Sequence, residues 1–169
     1  MSGDGAVRSS AWGGASVVLR LQLGAVFLFS SWMKLRPRQG DYSLSGPEDF
    51  LNAIKGFRLG LPEWLMRLTA GTVPWTELAC AVCLVAGFWT RAAGALAAAM
   101  LTVFTALVVS ALLRDLNINC GCFGDRGLVC AKAMGWCKVV ENLAMLAAAG
   151  VIAATARHPA SVDSLLERR

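Results

Sequence analysis

Residues 92–113, "AAGALAAAMLTVFTALVVSALL", contain no charged side chain. A helix needs about 20 apolar residues to cross a hydrocarbon core about 30 Å thick. Run length is what separates such a span from the core helix of a soluble protein. Three more apolar runs lie at 12–33, 62–89 and 133–156. In the first, Trp12 and Trp32 bracket the apolar stretch as interfacial aromatics do, and Lys34, Arg36 and Arg38 follow at once. A cleaved signal peptide has a shorter apolar region and a small-residue cleavage site; this run is longer, so an uncleaved span is predicted. The second opens at Pro62 and carries Pro74, which should kink it or mark its true start. "GFWTR" then makes a tight turn into the third run.

Composition agrees. Hydrophobic residues are 56% of the 169, charged residues 16%, and mean hydropathy is +0.56. A soluble domain carries about a quarter charged residues. The fold class expected is all-α: a polytopic membrane protein whose four spans form an antiparallel bundle. Residues 1–169 read as a single integral membrane domain, placed in the cell membrane as a multi-pass protein. Gly94, Ala97, Ala98, Ala147, Ala148 and Gly150 would let helices approach closely. In the polar connector, residues 47–57 predict a short amphipathic helix. Pro47 suits its first position, Glu48 and Asp49 its first turn, and Phe50, Ile54 and Phe57 share a face. It would lie on the membrane surface, dip into the bundle, or be an ordinary loop helix.

Several functions are disfavoured. One histidine, His158, cannot supply two axial ligands to a haem or build a multi-His metal site. The net charge of +5 is spread between the apolar runs and near the ends, with no basic stripe interleaved with aromatics, so no nucleic-acid partner is expected. No inverted repeat points to a transporter.

Three ionisable residues fall inside the spans: Arg20, Glu77 and Glu141, the last beside Asn142. Each is costly in lipid, about 2.5–3.5 kcal/mol on insertion scales, so they should face inward and pair. Counting depth at 1.5 Å per residue puts Arg20 and Glu77 roughly 10 and 16 Å from the same membrane face. Two readings follow. Arg20 and Glu77 pair to fix helix register, or these groups form a proton path or the polar wall of a ligand pocket.

Four of the six cysteines fall in "NINCGCFGDRGLVCAKAMGWC", between the last two runs. Cys120 and Cys122 flank one glycine in a loop at a membrane surface. A disulfide closed across one residue is strained, and strain favours exchange. Arg126 and the start of the next helix would lower a thiol pKa there. Cys130 or Cys137 would resolve a disulfide with either. Three readings stay open: a thiol–disulfide redox site, a structural disulfide, or a four-thiolate metal site. The spacing matches no common zinc ribbon, so no metal is assigned. Cys80 and Cys83, a C-x-x-C on the second span, read as small packing residues or a redox couple.

The motif "CGCFG" before the last helix resembles the MauE family, methylamine-utilisation membrane proteins within the broader DoxX-like group. "RLQLGAVFLFSSWMKL" is similar to that family's first helix, and "LPEWLMRLTAGTVPWTELACAVCLVAGFWTRAAG" to its second, with a buried Glu. "GWCKVVENLAML" resembles its fourth, where a Trp and an Asn recur. The likeness spans roughly 17–150. It implies a part in maturing the disulfide-rich small (beta) subunit of methylamine dehydrogenase. It also implies that Cys120 and Cys122 are the redox pair and that Arg20 and Glu77 are shared buried charges. Cys80, Cys83, Cys130 and Cys137 are not part of that pattern.

The expectation is a membrane thiol–disulfide oxidoreductase with Cys120, Cys122 and Cys130 catalytic. Its partners would be an exported client with disulfides and a second carrier, either a thioredoxin-like protein or a membrane quinone. The alternative is a non-catalytic scaffold or assembly factor whose loop is clamped by a disulfide. Orientation is contested. Lys34, Arg36, Arg38, Lys55, Arg58, Arg67, Arg114, Arg126, Lys132 and Lys138 sit on the loop side, against Arg8, Arg91, Arg157, Arg168 and Arg169 opposite. The positive-inside rule places the loop in the cytoplasm. Thiol oxidation and the family likeness favour the outer side.

Overall fold

The structure, a computed structural model, describes residues 4–35, 46–116 and 135–155. These form five helices and, among the described residues, no strand: α1 (Asp4–Leu35), α2 (Gly46–Gly56), α3 (Glu63–Ala86), α4 (Thr90–Leu113) and α5 (Trp136–Ala154). Four are long and apolar enough to cross a membrane: Gly14–Leu35, Glu63–Ala86, Thr90–Leu113 and Trp136–Ala154. α1 starts well before residue 12, because nothing in "DGAVRSSA" stops a helix. Pro74 does not mark the start of α3. It lies buried inside it, where packing against neighbours offsets the lost backbone bond.

The α3–α4 turn is built from left-handed residues. Gly87 caps α3 at φ 73°, and its N–H and that of Phe88 both reach the Cys83 carbonyl. Trp89 follows at φ 47°, a conformation unusual for a bulky side chain, with its ring stacked on Phe88 at 5.2 Å. The reversal makes α3 and α4 antiparallel.

The spans form a closed ring. α1 packs on α3, α3 on α4, α4 on α5 and α5 on α1, with the closest packing in the pairs α1/α3 and α4/α5. Each close pair has a glycine at its crossing. A Cβ on Gly24 would sit 2.8 Å from Val85 Cγ2, and one on Gly94 would sit 2.9 Å from the Ala153 backbone nitrogen. Gly94 and Ala97 thus serve as the sequence predicts. Gly150 and Ala147 do not, since both are exposed and a Cβ on Gly150 meets nothing. Ala149, fully buried, is the small residue that α5 presents to the bundle.

The core runs through Leu23, Phe27, Cys80, Ala81, Leu84, Ala97, Leu101 and Ile152. Trp32, Trp64 and Trp136 are all exposed near the end of the bundle where α1 ends and α3 and α5 begin. Trp64 and Trp136, in the first turns of α3 and α5, sit where interfacial aromatics are found. α2 packs against α3 and α1, burying Leu51 and, just beyond its end, Phe57. It is therefore docked on the bundle.

Candidate functional site

The end of the bundle where α4 stops and α5 starts carries both stems of the cysteine-bearing segment. Cys120, Cys122 and Cys130 lie outside the described residues. Cys137, in the first turn of α5, is disulfide-bonded, while Cys80 and Cys83 are free. Cys80 is 2% exposed and its thiol donates to the Ala93 carbonyl at 3.2 Å, so it packs α3 against α4.

The stem leaving α4 is held firmly. The N–H groups of Asp115 and Leu116 turn back to the carbonyls of Leu112 and Ala111, closing the helix with Asp115 left-handed at φ 49°. Arg114 reaches sideways. Its Nη1 donates to the Phe57 carbonyl at 3.0 Å and its Nη2 to the Arg58 carbonyl at 3.1 Å. Arg58 is itself left-handed, at φ 49°. One guanidinium thus ties the connector after α2 to the root of the cysteine-bearing segment.

Beneath this end lie two buried ion pairs on different helices. Glu77 accepts from Lys34 Nζ at 2.5 Å and from Ser30 Oγ at 3.2 Å. Lys34, in the last turn of α1, is also capped by the Phe50 ring of α2, with its nitrogen 4.7 Å from the centroid. On α5, Lys138 donates to Glu141 at 2.8 Å, one turn apart and largely buried. Asn142 follows at 1% exposure, and among the described residues its Nδ2 has no hydrogen-bond partner.

This corrects the expected Arg20–Glu77 pair. The register is set by Gly24 against Ala81 and Val85, and by Ser30 against Glu77. Extrapolating it places Arg20 opposite the far end of α3, about ten residues, or ~15 Å, beyond Glu77. Arg20 is buried and engaged elsewhere. Depth counted separately from two assumed membrane edges is too blunt a ruler for this. Lys34 was missed because a lysine after an apolar run reads as an interfacial flank. Its sequence signal is position, since it belongs to the last turn of the span rather than the connector. Lys138 had a plainer one, its i, i+3 spacing from Glu141.

Glu77 is a buried carboxylate held by one lysine and one hydroxyl. Removing either partner leaves the other stranded in a low-dielectric interior. Among the described residues the site therefore offers two buried ion pairs and one amide donor without a partner, below the end where Cys137 is disulfide-bonded.

Comparison with known proteins agrees with the architecture. The family model described as "Methylamine utilisation protein MauE" matches residues 13–155. The chain is 35% identical over 136 residues to a methylamine utilization protein MauE of Paracoccus denitrificans, covering 80% of this chain and 66% of that protein. It is 34% identical over 103 residues to one of Methylorubrum extorquens, covering 60% of this chain and 53% of the relative. The chain thus spans just under two thirds and about half of these relatives' lengths. No solved structure matches it. A family match over nearly all of the four-span bundle makes this chain a multi-pass membrane protein of the MauE family.

Proposed function

We propose that the protein is a membrane thiol–disulfide redox protein that assists disulfide formation or maturation in an exported client. By its family, a client in methylamine utilisation fits best, such as the small subunit of methylamine dehydrogenase. A client thiolate attacks a disulfide made by Cys120 or Cys122, giving a mixed disulfide and one released loop thiolate. A second client thiolate then attacks the mixed disulfide, leaving the client oxidised and the loop thiols reduced. Within the loop, the neighbouring cysteine or Cys130 resolves any mixed disulfide that the client does not. Two electrons and two protons then pass to a second carrier, a thioredoxin-like protein or a membrane quinone, which restores the disulfide. In this reading Glu77 and Glu141 relay those protons.

One observation carries this reading: Cys137 at the root of the cysteine-bearing segment is disulfide-bonded while the two cysteines inside α3 are free thiols. Disulfides persist in oxidising compartments, so the reading puts this end on the outer side of the membrane. The same disulfide also suits the competing reading, a scaffold with a static clamp.

Labelling of intact cells with a membrane-impermeant maleimide, with and without reductant, tests the reading. Cys120 and Cys122 are expected to label only after reduction. Labelling confined to lysed membranes would defeat the outward orientation. A Cys120→Ser/Cys122→Ser variant separates the two functions. Redox catalysis requires normal abundance with client disulfides lost, whereas a static clamp requires lower abundance and no change of thiol state during turnover.

A further inference from the structure

An open groove of about 620 Å³ runs between α4 and α5 on the outside of the bundle. On α4 it follows Thr102, Ala106, Val109 and Leu113, and on α5 it meets Leu143 and Leu146. Two of its hydroxyls are spent. Thr102 and Thr105 donate to the carbonyls of Ala98 and Leu101 in their own helix, which leaves their methyl groups to line the wall. The groove is therefore greasy except toward the C-terminal end of α4, where Ser110 and Arg114 sit one turn apart.

Arg114 has five N–H donors, and the Phe57 and Arg58 carbonyls take two of them. Carbonyls do not neutralise its charge. Among the described residues neither Arg114 nor Arg58 forms an ion pair, and Asp115 is the acid nearest in sequence. Ser110 makes no hydrogen bond there either. From Thr102 to Arg114 the groove is 12 residues long, or about 18 Å, close to the depth of one leaflet of a hydrocarbon core about 30 Å thick.

We infer that this groove is a binding site for an anionic phospholipid, with an acyl chain along α4/α5 and the phosphate against Arg114 and Ser110. The apolar length selects a lipid over free phosphate, which would gain nothing from the groove. The uncompensated arginine selects an anionic over a zwitterionic headgroup, because a second, positive headgroup charge would face Arg114 and Arg58. The inference does not depend on the thiol chemistry.

Native mass spectrometry of the detergent-purified protein tests this, with phosphatidylglycerol and phosphatidylcholine of identical acyl chains offered together. The expected result is about tenfold preferential retention of phosphatidylglycerol. Arg114→Gln should abolish the preference. Because that change also frees the connector, Ala106→Trp supplies a second test: it fills the groove from an exposed position, leaves Arg114 in place, and should remove both lipids. Equal retention of the two lipids by the unmodified protein would overturn the inference. So would a preference surviving in the Ala106→Trp variant, displacement by millimolar inorganic phosphate, or a groove filled by a neutral polyprenyl lipid instead.

Discussion

Glu77 has one cation and one hydroxyl, and removing them separately distinguishes charge from packing. Lys34→Met strands a carboxylate and should cost about 3–5 kcal/mol, as should Glu77→Met, which strands the lysine. The double variant should recover most of that loss, because two apolar side chains in place of a buried pair are often neutral or stabilising. Thermal unfolding in detergent reads all three, and a double variant as unstable as the singles would mean that the pair does not act as a unit. Asn142 is the sharper case. Its amide nitrogen has no partner among the described residues, and a buried donor left so costs about 1–3 kcal/mol. Asn142→Leu should therefore raise the melting temperature, and falling client oxidation in the same variant would mark the amide as functional. At this scale the sequence identified which residues are chemically out of place in lipid, but not who faces whom. Glu77 and Asn142 stand out by type alone. Lys34 does not, because a flank and a partner look the same until the register of α1 on α3 is known.

At the scale of elements, the two close helix pairs differ in how they would meet a new methyl group. At Gly24 the obstacle is the end of a valine side chain, which can turn. At Gly94 it is the backbone of α5, with the Ala149 carbonyl also 3.3 Å away. Gly94→Ala should therefore destabilise by about 1–3 kcal/mol, and Gly24→Ala by clearly less. Parallel melts of the two variants check the order. Gly94 was legible as a close-approach residue, whereas Gly150 was a false lead. α5 buries Asn142, Ala149 and Ile152 on one face, and a step of one residue from Ala149 turns Gly150 about 100° away. In water a polar outer face would have revealed this phase. In lipid the outward face is as apolar as the inward one, so the pattern hides it. The amphipathic α2 was legible for the opposite reason: it lies among polar residues, and its face of Phe50 and Phe57 is the one that meets the bundle.

For the whole molecule, the cysteines divide by place. Those of α3 are helix packing and those near α5 carry the proposed chemistry. A Cys80→Ala/Cys83→Ala variant should keep client oxidation within about twofold while losing a little stability from the α3–α4 contact. Client oxidation abolished at normal abundance would assign the C-x-x-C a redox role. The four spans were legible because run length alone declares them, whereas Cys120, Cys122 and Cys130 lie outside the described residues.

The pairing of helices also bears on how the chain reaches its membrane. α1 with α3, and α4 with α5, are the tight partners, and each pair draws its ionic contact from within itself: Lys34 with Glu77 in the first, Lys138 with Glu141 in the second. During synthesis the first pair emerges complete before α4 is made. Neither buried carboxylate has to wait in lipid for a helix still inside the ribosome. Biogenesis can proceed by halves, each leaving the insertion machinery with its charges already matched.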